Sequence, residues 1–101
     1  MKRIMIRYTV KPEAAEDNAE LVRTVYEELD REGPPTLRYA TFGLDDGVTI
    51  VPVAEGDAPD GANTLAGIGA FQRFREGLRE RCAVLPVTAG LSTIGAYRLL
   101  G

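Results

Sequence analysis

Residues 37–55 read LRYATFGLDDGVTIVPVAE. Thr36 to Leu44 is an extended run with Tyr39 and Phe42 as its large residues, and Val48 to Ala54 is a second. Between them stands Asp45-Asp46-Gly47, whose Asp-Gly pair suits the positive φ angles of a tight hairpin turn. The stretch therefore reads as strand, turn, strand. The second run, VTIVPV, is apolar almost throughout. A strand wetted on one face alternates, so this one reads as covered on both. Pro52 is awkward there, because proline has no N–H to give a central ladder. A bulge, or a strand end at that point, would reconcile the two.

Upstream, Met1 to Val10 alternates. Ile4, Ile6, Tyr8 and Val10 share one face, and Arg3, Met5, Arg7 and Thr9 the other. Lys11-Pro12 stops this strand and opens a helix, with Glu13, Glu16 and Asp17 placed where the helix dipole favours negative charge. Asn18, Leu21, Val22, Val25 and Leu29 fall on one stripe at helical spacing, flanked by Tyr26. Glu27 and Arg31 form an i,i+4 pair on the wet side. Gly33 is a natural helix end, and Pro34-Pro35 prevents continuation beyond Glu32.

Downstream, residues 55–69 read EGDAPDGANTLAGIG, a long irregular stretch in which Asn63 could cap a short turn carrying Leu65 and Ile68. The spacing predicts a helix over Ala70 to Arg81 that buries Phe71, Phe74 and Leu78. Gly77 inside it costs roughly 1 kcal/mol relative to alanine. A Val84–Gly90 connection, itself partly extended, leads to a last strand over Leu91 to Leu99. The order strand, helix, strand, strand, helix, strand predicts one α+β, ferredoxin-like βαββαβ domain over residues 1–101. It has a four-stranded antiparallel sheet with two helices on one face.

The 101 residues fit one domain, and 45% of them are apolar, enough for a packed core. The net charge of −3 disfavours a nucleic-acid partner, which usually meets a basic face. The first apolar run is too short and interrupted for a signal peptide or membrane span, so the expected location is cytoplasmic. Two helices cover only one face of a sheet. Met5 in the first strand, and Val51 and Val53 in the third, put apolar groups on the other. That argues for a homodimer in which two sheets pack face to face.

RYTVKPE at the start, the acidic-to-apolar first helix, the 37–55 hairpin and FQRFREGL at 71–78 together resemble the dimeric α/β-barrel superfamily. Within it the chain resembles small antibiotic biosynthesis monooxygenase-like proteins. The resemblance implies a ferredoxin-like protomer, a homodimeric barrel, and a small pocket between helices and sheet. That family includes cofactor-free oxygenases of aromatic polyketides, haem-degrading relatives, and members with no assigned activity.

The chain has no histidine and no tryptophan. The resembling haem-degrading enzymes use a histidine iron ligand and a pocket tryptophan, so that chemistry is disfavoured. Cys82 stands alone and reads as a small core residue. Glu55, Asp57 and Asp60 lack a ligand pattern, and Gly61, Gly67 and Gly69 lack the spacing of a phosphate-binding loop. Ser92, the only serine, has no histidine to activate it. No metal and no cofactor is expected. Arg73, Arg75, Arg79 and Arg81 alternate with Glu76 and Glu80 and read as a solvated helix face.

Cofactor-free oxygenation asks less of a protein: an apolar cavity and a few polar groups to hold an enolate or phenolate. Tyr8 and Tyr39 are the candidate catalytic hydroxyls. Asn63 and Arg73 are candidate polar contacts to a small apolar or aromatic ligand, with Phe42, Phe71 and Phe74 as walls and the 55–69 loop as a lid. Ordinary core packing is the favoured account of each aromatic, and helix capping that of Asn63. Three readings follow. The chain is a small-molecule-binding homodimer without demonstrated turnover, a cofactor-independent oxygenase of a phenolic or quinone-like compound, or a structural dimerisation module. A filled interior would favour the third, and an open cavity with convergent polar groups the first two.

Overall fold

The computed structural model describes residues 2–56, 65 and 67–99. β1 (Lys2–Val10) leads through a 3-10 turn (Pro12–Ala14) into α1 (Ala15–Glu32). The hairpin β2 (Arg38–Gly43) and β3 (Thr49–Gly56) follows, then α2 (Gly69–Arg75), α3 (Leu78–Arg81) and β4 (Cys82–Leu91). The strands lie in the order β2-β3-β1-β4, all antiparallel, which is the ferredoxin-like arrangement. Among the described residues no helix is long and apolar enough to cross a membrane.

Sheet parity decides what each strand contributes. Tyr8 and Val10 turn to the helices and form the core with Val25 of α1, Ile68, Ala70 and Phe74 of the α2 region, and Cys82. Leu21, Val22 and Leu29 pack against that cluster, so the apolar stripe of α1 faces the sheet as its spacing requires. Gly33 ends α1 in the left-handed conformation at φ 56°, donating its N–H to Leu29 O at 2.8 Å. At the hairpin, Asp46 accepts from the backbone N–H of Val48 at 2.9 Å and of Thr49 at 2.8 Å. The Thr49 hydroxyl, foremost, and these bonds hold the Asp46 carboxyl below its usual pKa.

Parity sends Met5, Ala40, Phe42, Val51, Val53, Val87 and Ala89 to the opposite face, where they are register neighbours. Phe42 is 57% and Val87 65% exposed there.

Pro52 needs neither a bulge nor a strand end. β3 continues through it, and its pairing with β2 is unbroken at Thr41↔Pro52. The pairing with β1 omits Ile6 with Pro52 and Arg7 with Val51, then resumes in the same register at Tyr8↔Ile50. The donor that proline lacks is lost on the β1 side alone.

Two predicted elements are corrected. The 70–81 helix is two helices, because Gly77 adopts φ 72° and breaks it. The last strand is Cys82–Leu91, not Leu91–Leu99. From sequence, Val84–Gly90 reads as a connection because it holds a proline and a glycine. β4, however, is an edge strand, where a missing N–H is tolerated. Its register against β1 shifts twice, between Arg7/Thr9 and Thr9/Val10. Both shifts add residues on β4, and Pro86 lies within the first. Ser92 and the segment after it carry no strand up to residue 99.

Candidate functional site

A cavity of about 580 Å³ lies between the sheet and the α2–α3 region. Its floor comes from inward-facing residues: Ile4, Ile6 and Tyr8 of β1, Pro52 and Ala54 of β3, Tyr39 of β2, and Pro86 and Thr88 of β4. Phe71, Phe74 and Leu78 supply the apolar wall, and Leu65 adds to it. The volume falls within the roughly 300–1,000 Å³ of small-molecule sites. A much smaller cavity adjoins it, bordered by Tyr8, Tyr26, Tyr39 and Thr41.

The helical wall is held by a carboxylate on α1. Glu28 accepts from Gly69 N at 3.0 Å and Ala70 N at 3.1 Å, satisfying two orphan donors at the start of α2. Arg73 stands 3.8 Å from the same carboxylate. Its exposed side chain does not line the cavity. Phe42 does not line it either, since parity puts it on the far face of the sheet. Asn63 and most of the 55–69 stretch lie outside the described residues. Of the residues singled out from sequence, Tyr8, Tyr39, Phe71 and Phe74 meet at one cavity.

Two phenols, Tyr8 and Tyr39, contribute polar groups to the cavity, and a third, Tyr26, borders the smaller one beside it. Burial, the largest cause, pushes Tyr8 up to about 12, partly offset by a hydrogen bond from Asn18. Tyr26 is pushed to about 12, and Tyr39 upward, again by burial first. Tyr26 stacks on Tyr39 with centroids 5.3 Å apart, and its hydroxyl lies 2.8 Å from Thr41 Oγ1. These phenols are neutral at physiological pH. They can donate hydrogen bonds to a developing anion but are not bases.

At one end of the cavity Glu55, 8% exposed, is paired with Arg3 on the neighbouring strand. Arg3 Nη1 also donates to Thr93 Oγ1 at 2.8 Å. Arg75 lies at the lining, its guanidinium 6.0 Å from the centre of the Phe71 ring. Burial raises the pKa of the Cys82 thiol and disfavours a reactive thiolate. Among the described residues no three His, Cys, Asp or Glu side chains are grouped to hold a metal ion.

Two polar residues stand behind the site: Asn18, read from sequence only as part of the α1 stripe, and Arg81, which is not on a solvated face as its alternation with Glu76 and Glu80 suggests. Asn18 is 1% exposed and donates from Nδ2 to the Tyr8 hydroxyl at 3.1 Å. Arg81 turns inward, and its Nε donates to Asn18 Oδ1 at 3.2 Å. The signal for Asn18 was an amide at the head of an otherwise apolar helical stripe. Arg81 had none, because its inward turn depends on the break at Gly77.

No family model matches the chain, and no curated protein matches it in sequence. Solved structures do match. One is an antibiotic biosynthesis monooxygenase at 16% identity, covering 94% of this chain and 100% of the other, with a TM-score of 0.78. A Nitrosomonas europaea protein, known provisionally as an antibiotic biosynthesis monooxygenase, matches at 18% identity, with the same coverage and a TM-score of 0.78. A cofactor-independent oxygenase from Streptomyces nogalater matches at 14% identity over 96% of each chain, with a TM-score of 0.69. The chain thus has the fold of antibiotic biosynthesis monooxygenase-like proteins.

Proposed function

We propose that the protein is a cytoplasmic homodimer in which each protomer binds a small, mostly apolar aromatic molecule between sheet and helices. The cavity of about 580 Å³, apolar on its walls with protonated tyrosines at its floor, carries this reading. Phe71 and Phe74 would hold the ring system, while Tyr8 and Tyr39 would meet a ligand oxygen. A second copy would cover the sheet face that bears Phe42, Val51, Val53 and Val87.

The likeness to a cofactor-independent oxygenase favours one second reading, that the bound molecule is oxidised. A ring methylene of the substrate would give up both hydrogens and take one atom of dioxygen as a carbonyl oxygen. The other oxygen atom would leave with those two hydrogens as water. No external reductant is needed, since the substrate supplies all the electrons. The protein would orient an enolate or phenolate and stabilise its charge by hydrogen bonds.

A panel of dihydroxynaphthalenes and anthrones tests both readings. Binding is expected to raise the melting temperature of the wild type but not of Ala54→Phe, which fills the cavity floor. Oxygen uptake without added cofactor would establish turnover. No stabilisation across the panel would leave the structural dimer as the better account.

A further inference from the structure

The break at Gly77 leaves carbonyls at the end of α2 without helical donors. Arg81 serves them: Nη2 donates to Phe74 O at 2.6 Å and Nη1 to Glu76 O at 3.1 Å. Its guanidinium carbon lies 5.4 Å from the centre of the Phe74 ring. With both terminal nitrogens engaged, Nε meets Asn18 Oδ1. A guanidinium can only donate, so the atom facing it must be the amide oxygen. The NH2 end of Asn18 therefore faces Tyr8. That group also only donates, so Tyr8 Oη is the acceptor. Among the described residues nothing accepts the Tyr8 proton. Tyr8 lines both the large cavity and the smaller one that adjoins it, so its proton is left for an acceptor brought into that space.

We propose that Arg81 and Asn18 are positioning residues that fix the Tyr8 hydroxyl as a donor into the cavity, so that the site selects a ligand with an acceptor oxygen, such as an aromatic ketone or quinone, over one presenting an N–H. The inference rests on the cavity being a binding site. A chain of one-way donors sets the preference: guanidinium to amide oxygen, amide nitrogen to phenol oxygen, phenol proton to ligand.

Three tricyclic probes of nearly equal shape test it. Fluorenone offers a carbonyl acceptor, carbazole an N–H donor, and fluorene neither. Dissociation constants measured by fluorescence should place fluorenone about tenfold tighter than fluorene and carbazole in the wild type, as expected of one directed hydrogen bond in an apolar site. Tyr8→Phe should bring fluorenone to the level of fluorene and leave fluorene itself unchanged. Asn18→Asp keeps an oxygen for Arg81 and offers a second one to the Tyr8 proton. It should reverse the order, with carbazole ahead of fluorenone. Arg81→Leu frees the Asn18 amide to turn over and should shrink the ratio. The infrared carbonyl stretch of bound fluorenone should be lower in the wild type than in Tyr8→Phe, a readout that needs no Asn18 variant to fold. Equal affinities for the three probes, or an unshifted carbonyl stretch, would overturn the polarity inference while leaving the cavity as a binding site. No binding of any probe would overturn both.

Discussion

Tyr8 and Tyr26 keep their protons up to about pH 12, whereas in the unfolded chain they ionise near their ordinary value of 10.0. The folded state therefore binds more protons between those limits. The stability tied to these phenols is fully present below about pH 10 and is lost as the pH rises toward 12. Unfolding free energy from denaturant melts should accordingly be insensitive to these groups near neutrality and fall above about pH 10. Tyr8, 1% exposed, accounts for roughly 2–3 kcal/mol of that fall. Tyr8→Phe should flatten the alkaline limb. An unchanged slope would mean that the phenol is not buried in solution. At the same scale, Val25 is in the core and Glu27 is exposed on the same helix. Val25→Asp should cost about 3 kcal/mol or more by burying an unpaired charge, and Glu27→Ala less than about 0.5 kcal/mol. Equal melting temperatures would mean that the helix faces are reversed. Some of the site could be read from residue parity alone. Tyr39 and Phe42 are three apart in one strand, and a period of two cannot put both on one wall. Arg73 could not be sorted from Arg75 and Arg81 that way, because their directions depend on where the helix breaks.

Elements whose signals agreed were legible. α1 had a 3.6-residue stripe, acidic residues at its start, and Gly33-Pro34-Pro35 at its end, and it runs to Glu32 as read. The hairpin had its Asp-Gly turn. The second helical region had a conflict, a glycine inside an otherwise helical pattern, and sequence alone does not reveal the sign of its φ. That sign reverses a prediction. In a continuous helix Gly77→Ala would stabilise by roughly 1 kcal/mol. At φ 72° it should instead destabilise by about 1–2 kcal/mol through backbone strain, since the nearest atom to the new Cβ, Arg81 Nη1 at 3.5 Å, leaves it room. A melting temperature above that of the wild type would restore the single helix. β4 was misplaced for a related reason. Pro86 and Gly90 punctuate an edge strand without ending it, and edge position is a property of the whole sheet that no local window contains.

For the molecule as a whole, the proposed homodimer makes the far face of the sheet an interface. Light scattering at micromolar concentration should then give twice the 11.0 kDa protomer mass. Phe42→Asp, which places a charge on that face, should shift the mass toward the protomer, while Glu27→Ala on α1 should not. A protomer mass for the wild type would remove the dimer. The two register shifts along β4 have a consequence beyond the fold. β2 and β4 are the sheet's two edges, and an edge with a straight row of unpaired N–H and C=O groups can recruit strand after strand from other molecules. The extra residues and Pro86 bend and interrupt that row on β4, which otherwise exposes Val84, Leu85 and Val87. By the general logic of edge strands they should act as a stop against open-ended polymerisation. Pro86→Val restores a donor to an apolar edge. It should leave the fold intact by circular dichroism while producing thioflavin-positive fibrils on prolonged incubation, where the wild type stays clear.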